Sequence, residues 1–307
     1  MKVRRHPARD LPSHVVAWLH RQTLFGSVEF TSLWDVLGGR AVYWAIYDDN
    51  RLVALLPSVQ FGRGHLARLQ AMPDGLYGRL FFLEGGVNRD EVARSILDAV
   101  ASAGYARVFI NDYYSKFGDH SGFEGQASET SLVDVSRTDW QPPDAKLRSE
   151  IRKAQREDTP VREFSLARHF DAFIALMKQT EHRHGRRPKY SAEFYRGLGK
   201  LAMLDTRVRW LVCEQDDQLA ASHIYFVEED MLLNWQVFFD KRFSSLKPNQ
   251  SITYSVVTEP ALRGIRMLNL GATPESAESL SYYKDKWGGE PYRYRCLRRQ
   301  SWLGRLL

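Results

Sequence analysis

The chain has 307 residues, 44% hydrophobic and 26% charged, which excludes a disordered, collagen-like or fibrous protein. It is long enough for two domains, each burying its own core. The formal net charge of +6 is gathered in three places: +3 over residues 1–13, +4 over 178–189 and +5 over 292–307, leaving an acidic remainder.

Basic patches of this kind suit partners that bear phosphate, such as a nucleic acid, a nucleotide or an anionic membrane surface. The basic start MKVRRHPARD is not followed by the apolar stretch of a secretory signal, and no run of 18 apolar residues occurs. A cytoplasmic location is therefore expected. The two cysteines, Cys213 and Cys296, belong to no CxxC pair or Cys/His cluster. That pattern gives no expectation of a disulfide scaffold or a structural zinc site, and both residues read as buried strand positions. No metal and no cofactor is expected.

Taken in chain order, the pattern repeats. SVEFTSLWDVL (27–37) reads as a short helix with Ser27 as its cap, and WAIYDDNRLVALLPSV (44–59) as two apolar strands around an acidic turn. VARSILDAVASAGYARVFIND (92–112) then reads as an amphipathic helix, a glycine near its end and a buried strand. TDWQPPDAK (138–146) is a loop, since Pro142 and Pro143 bar a helix or a central strand. A basic helix follows over 147–157, with Leu147, Ile151 and Ala154 as its apolar stripe. The earlier pattern then returns in the same order as SAEFYRGLGKL (191–201), WLVCEQDDQLAASHIY (210–225) and ITYSVVTEPALRGIRMLNLGA (252–272). The expected fold is α+β with mixed sheets, one unit written twice, with domains at 1–143 and 144–307. The last stretch, YRYRCLRRQSWLGRLL, reads as a final strand over 292–297 and a basic tail that could touch an anionic membrane.

The order helix, strands, helix, strand resembles the GNAT acyltransferase fold, and a tandem pair resembles the Fem family (FemA, FemB and FemX type) and its acetyltransferase-like relatives. Four stretches carry the likeness: LRSEIRKAQRE (147–157), TEHRHGRRPKYSAEFYRGL (180–198), LLNWQVFFDKRFSSLKPNQSITYSVV (232–257) and SYYKDKWGGEP (281–291). The resemblance implies acyl transfer to an amine. Fem proteins take an amino acid from aminoacyl-tRNA and attach it to the peptide of a cell-wall precursor, whereas the relatives are associated with acyl-CoA.

Under that resemblance, Lys284, just after a predicted strand end, orients the donor carbonyl and stabilises charge on its oxygen. Tyr283, Trp287 and Lys247 hold the donor. Arg183, Arg186 and Arg187 bind phosphates, and Tyr190 and Trp235 line the acceptor site, the acceptor being a small peptide or a lipid- or nucleotide-linked amine. Read without the resemblance, the same residues are a surface lysine, core aromatics and a solvated loop. The turn KRFSSLKPNQ (241–250) lacks the glycines with which backbone amides cradle a pyrophosphate, which favours charged tRNA over CoA. An acyl-CoA-dependent enzyme acting on an amino sugar and a non-catalytic RNA-binding protein are the alternatives.

Overall fold

The structure is a computed structural model. It describes residues 1–157, 160–259, 262, 264–273, 278–302 and 304. By its internal contacts the chain forms two compact units, residues 1–129 with 293–307, and residues 130–292. The expected domains, 1–143 and 144–307, place the C-terminal strand in the second. In the structure Arg295–Gln300 of that strand pair with Arg107–Asp112 of the first unit, and Leu297 joins that unit's core.

In the first unit, β1 (Lys2–Pro7), α1 (Ser13–Gln22) and α2 (Val28–Thr31) precede the hairpin β2 (Gly39–Asp48) and β3 (Arg51–Phe61). Then come β4 (Arg68–Ala71), β5 (Phe81–Phe82), α3 (Arg89–Ser102) and β6 (Arg107–Asp112). The strand β7 (Glu124–Asp134) runs from this unit into the next, and β13 (Glu290–Gln300) supplies the closing strand. The sheet order is β1-β2-β3-β4-β6-β13, with β5 beside β3. Among the described residues these pairs are antiparallel except β4 with β6, the two strands joined through α3.

In the second unit, α4 (Ala145–Arg156), β8 (Val161–Glu163), α5 (Leu166–Arg183) and α6 (Ala192–Leu204) lead to the hairpin β9 (Val208–Gln215) and β10 (Gln218–Glu228). Then follow β11 (Met231–Phe239), α7 (Pro248–Val257), β12 (Met267–Asn269) and α8 (Glu278–Lys286). The order is β7-β12-β11-β10-β9-β8, and among the described residues the parallel pair, β11 with β12, is again the pair joined through a helix. The two units thus repeat the same plan.

The local chemistry explains the repetition. Ser27 and Ser191 each accept a backbone N–H three residues on, from Phe30 and Phe194, which starts α2 and α6. The acidic hairpin turns place Asp49 and Asn50, and Asp216 and Asp217, at positive φ. A two-residue hairpin needs that at both central positions, and Asp and Asn tolerate it. Helix α3 buries Val92, Ile96 and Val100 against Val108, Ile110 and Leu297 of the first sheet. Helix α4 buries the expected Leu147, Ile151 and Ala154. Cys213 and Cys296 are buried free thiols on β9 and β13.

Arg298 and Arg299 lie within β13, and Trp302 just beyond it is 72% exposed. Leu303, Arg305, Leu306 and Leu307 fall outside the described residues. Among the described residues no helix is long and apolar enough to cross a membrane.

Candidate active site

The second unit has a notch where two parallel strands stop pairing. β12 matches β11 only from Met231 to Leu233, while β11 runs on to Phe239. Just past that point β11 bulges. Tyr225 of β10 faces Asn234 and Ile224 faces Gln236, so Trp235 has no partner in the register. A bulge re-aims side chains at the end of a ladder, a common arrangement beside active sites.

The other side of the notch is set by Asn269, which is fully buried. Its Oδ1 accepts the Thr130 hydroxyl at 2.6 Å and the Gly271 N–H at 2.8 Å. Gly271 has φ +76°, and a β-carbon there would sit 3.7 Å from the Asn234 carbonyl oxygen. Asn234 Oδ1 is buried and, among the described residues, accepts no hydrogen bond.

Lys284 reaches this notch from α8. Its Nζ donates to the Gly271 carbonyl at 2.6 Å, and the residue is 2% exposed. Burial lowers its pKa from 10.5 to about 8, because a desolvated ammonium is disfavoured. The motif around it is a helix end, not the strand end expected from sequence. Tyr283, Lys284 and Trp287 turn inward while Tyr282 and Asp285 face solvent. Gly288, at φ +82°, then closes the helix, where a left-handed residue carries no penalty for glycine. Gly289 follows so tightly that a β-carbon would lie 2.2 Å from Ser131 Oγ. Residues 274–277, just before α8, lie outside the described residues.

Trp287 is fully buried, with its ring parallel to that of Trp140 at 6.2 Å and edge-on to Tyr283 at 6.1 Å. A polar line runs through the same core. Asn249 Oδ1 lies 3.0 Å from His223 Nε2, His223 Nδ1 is 2.9 Å from the Tyr225 hydroxyl, and that hydroxyl is 3.0 Å from Thr253 Oγ1. Burial lowers the His223 pKa to about 4, so the ring is neutral at pH 7. With Asn249 Oδ1 accepting, Nε2 carries the proton and Nδ1 accepts from Tyr225.

Lys247 stands at the start of α7 in a left-handed conformation, φ +58°, ahead of Pro248. Its Nζ lies 3.2 Å from Glu150 Oε1, and Gln250 Nε2 donates to Glu150 Oε2 at 3.3 Å. A carboxylate from α4 therefore already sits beside the first turn of α7.

A cleft of about 510 Å³ opens along β11, lined by Arg186, Arg187, Lys189, Trp235 and Gln236, with Glu181 and Tyr195. Glu181 holds Arg186 at 3.0 Å, and the Tyr195 hydroxyl donates to Gln236 Oε1 at 2.9 Å. Arg186, Arg187 and Trp235, expected together from sequence, do share this cleft. Arg183 points elsewhere, donating to the Phe239 carbonyl at 2.9 Å with its guanidinium over that ring. Tyr190 is 4% exposed, stacked on Phe194 at 4.5 Å and tilted against Trp235. Sequence reasoning missed Asn234, Gln236, Tyr195, Glu181 and the His223 line. Only Asn234 and Gln236 carried a signal, as the polar neighbours of Trp235 in an otherwise apolar strand.

Residues 144–292 match the acetyltransferase (GNAT) domain family. Two units of this plan, one of them matching that family, settle the architecture. The chain has the tandem GNAT fold. No curated protein matches it by sequence. Among solved structures it is similar to FemX, with 11% identity over 96% of this chain and 97% of that one and a TM-score of 0.69. It is also similar to the C-terminal domain of a proposed lysylphosphatidylglycerol synthetase from Agrobacterium fabrum, at 13% identity, covering 96% and 94% of the two chains, TM-score 0.61. A tandem GNAT protein from the clavulanic acid biosynthesis pathway aligns at 11% identity, covering 97% and 98%, TM-score 0.55. The likeness to FemX and to tandem GNAT proteins read from the sequence is thus a likeness of fold.

Proposed function

We propose that this chain is an N-acyltransferase that moves an amino acid from aminoacyl-tRNA to an amine of a cell-wall or related peptide precursor. The observation that carries this reading is the notch itself, where the buried Lys284 ammonium is held on the Gly271 carbonyl, opposite the backbone of Asn234, whose Oδ1 is buried and accepts no hydrogen bond among the described residues.

The chemistry asks for little more. A neutral amine attacks the ester carbonyl carbon of the donor, forming the C–N bond and a tetrahedral oxyanion. Lys284, cationic below about pH 8, stabilises that oxyanion. Asn234 Oδ1 accepts an N–H of the amine and holds it in line. The C–O bond to the ribose then breaks, and the leaving oxygen gains the proton that the nitrogen loses. Arg186 and Arg187 bind anionic groups of the acceptor in the cleft, and Trp235 lies between cleft and notch. Tyr283 and Trp287 fix α8 behind Lys284. Arg183 and Tyr190 hold the cleft wall.

The start of α7 supports tRNA as donor. Its preceding turn has no glycine, ends in the left-handed Lys247, and faces the Glu150 carboxylate, a poor setting for a pyrophosphate. The resemblance of the sequence to the Fem family likewise implies a donor carried on tRNA. The second reading, transfer from an acyl-CoA to an amino sugar, is favoured by the acetyltransferase family match. Incubation with labelled acetyl-CoA or with charged tRNA separates the two. Product that forms from charged tRNA and is lost on RNase treatment supports the first. Product from acetyl-CoA that survives RNase overturns it.

A further inference from the structure

The first unit carries an open basic surface that the reaction above does not use. Over β4, over Arg107–Ile110 of β6 and over Leu297–Gln300 of β13, neighbouring side chains alternate between the two faces. Leu69, Ala71, Val108, Ile110 and Leu297 face the core under α3. The residues between them face the other way as Arg68 and Gln70, Arg107 and Phe109, and Arg298 and Gln300. Pairing aligns these in two rows across the sheet. Arg68, Arg107 and Gln300 form one, and Gln70, Phe109 and Arg298 the other. On this side α1 packs over β2 and β3, and Asn111 further along β6 is buried and donates to the Leu76 carbonyl at 2.8 Å, while Arg68, Arg298 and Gln300 are exposed and Gln70, Arg107 and Phe109 half-buried.

The rows line a concave cleft of about 380 Å³, joined by Arg299 and by one acid, Asp74. Among the described residues none of the four arginines is in an ion pair. Arg107 donates from Nε to the Gly304 carbonyl at 3.0 Å. The Arg298 guanidinium lies over the Phe109 ring at 5.2 Å and that of Arg68 over Phe61 at 5.9 Å. Guanidinium groups laid on aromatic faces keep their N–H edges free for phosphate.

We propose that this sheet face binds an RNA strand. Phosphates would contact Arg68, Arg107 and Arg298, and the Phe109 ring and the two glutamine amides would meet the bases. A concave face suits a polynucleotide, whereas a bilayer surface cannot enter it. The proposal rests on the tRNA-dependent reading for its biological partner, but its test does not need the transfer reaction.

Fluorescence anisotropy with deacylated tRNA, and with a single-stranded RNA of about 12 nucleotides, measures binding to the full chain. Arg68→Glu/Arg298→Glu is compared with Arg9→Glu/Arg94→Glu, which changes the charge equally elsewhere on the unit, and Arg68→Gln/Arg298→Gln serves if the first variant misfolds. At about 0.1 M salt the sheet-face variants are expected to lose affinity about tenfold or more. Their slope of log K against log salt should become shallower by about 1.4, two phosphates' worth. The control should change less than about twofold, and binding to phosphatidylglycerol-containing vesicles should be unchanged. Equal weakening in both variants, no weakening, or loss of vesicle binding with RNA binding intact would each overturn the proposal. If transfer survives RNase while the sheet-face variant still loses RNA, the functional reading fails and this one stands.

Discussion

Lys284 Nζ and the Gly271 carbonyl oxygen lie 2.6 Å apart at the mouth of the notch in the second unit. The bond fixes one N–H of an ammonium that has three, and it aims the group along the edge where β11 and β12 part. Burial at the same time lowers the pKa of this lysine to about 8.

The first prediction concerns rate. If cationic Lys284 stabilises the oxyanion, the transfer rate falls as pH rises through about 8. A lysine acting as base would give the opposite slope. Lys284→Ala should lower kcat by about 10²–10³, the range for loss of one oxyanion donor. It should also remove the fall near pH 8. A pH–rate profile of both proteins checks this.

The second concerns stability. The folded pKa of Lys284 lies below the unfolded value of 10.5, so between about pH 8 and 10.5 the unfolded chain binds the extra proton. Stability contributed by this group therefore rises with pH across that window. Below pH 8 both states are charged, and the native state carries a penalty on the order of 3 kcal/mol. Lys284→Met should be at least as stable as the parent at pH 7 and should lack the rise between pH 8 and 10. Thermal melts across that range measure it.

Much of the fold could be read from the chain because its signals are local. Serine caps, two acidic hairpin turns and alternating apolar strands sit at matching positions in both halves. The closing strand could not be assigned to the first unit from sequence, because pairing Leu297 with Ile110 is a contact 187 residues distant. The site was half legible. Arg186, Arg187 and Trp235 do line one cleft. Asn234 shows in the sequence only as a polar neighbour of Trp235, because the bulge beside it and its buried oxygen, without a donor among the described residues, leave no further mark there. Arg183 and Arg187 look alike in the motif, yet one is turned into the protein by the Phe239 carbonyl.

That contrast gives the third prediction. Arg183→Ala removes a partly buried guanidinium that ties the end of α5 to β11. It should lower stability by about 1–3 kcal/mol. Arg187→Ala changes an exposed residue of the cleft and should leave the melting temperature within about 1 °C. It should raise KM for an anionic acceptor several-fold with kcat little changed, the signature of lost uniform binding. Denaturant titrations and steady-state kinetics separate the two.

The fourth concerns Gly289. A β-carbon there would meet Ser131 Oγ at 2.2 Å, and the Lys284 carbonyl oxygen lies 3.0 Å away. Gly289→Ala should therefore move the end of α8 and with it Lys284. A loss of about 1–3 kcal/mol is expected. The double variant Gly289→Ala/Ser131→Gly should recover part of that loss, because the closest clash is removed. Failure of the double variant to recover any stability would show that the close approach of α8 to Ser131 does not set the helix end.

The fifth concerns His223. Its ring is fully buried between the Tyr225 hydroxyl and Asn249 Oδ1, and its pKa is lowered to about 4 from 6.5. Between pH 6.5 and 4 the unfolded chain binds a proton that the native chain refuses. Stability must therefore fall as pH drops through this window, by on the order of 3 kcal/mol in total. His223→Gln cannot titrate, so the difference in stability between parent and variant should shrink or reverse from pH 7 to pH 4. Carboxylates titrating in the same range affect both proteins alike and cancel in that difference. Tyr225→Phe leaves His223 Nδ1 buried without a donor and should lose about 1–3 kcal/mol at pH 7. If the difference curve for His223→Gln is flat, the ring is not held neutral by burial, and the direction assigned to the hydrogen bonds from Tyr225 through His223 to Asn249 falls with it.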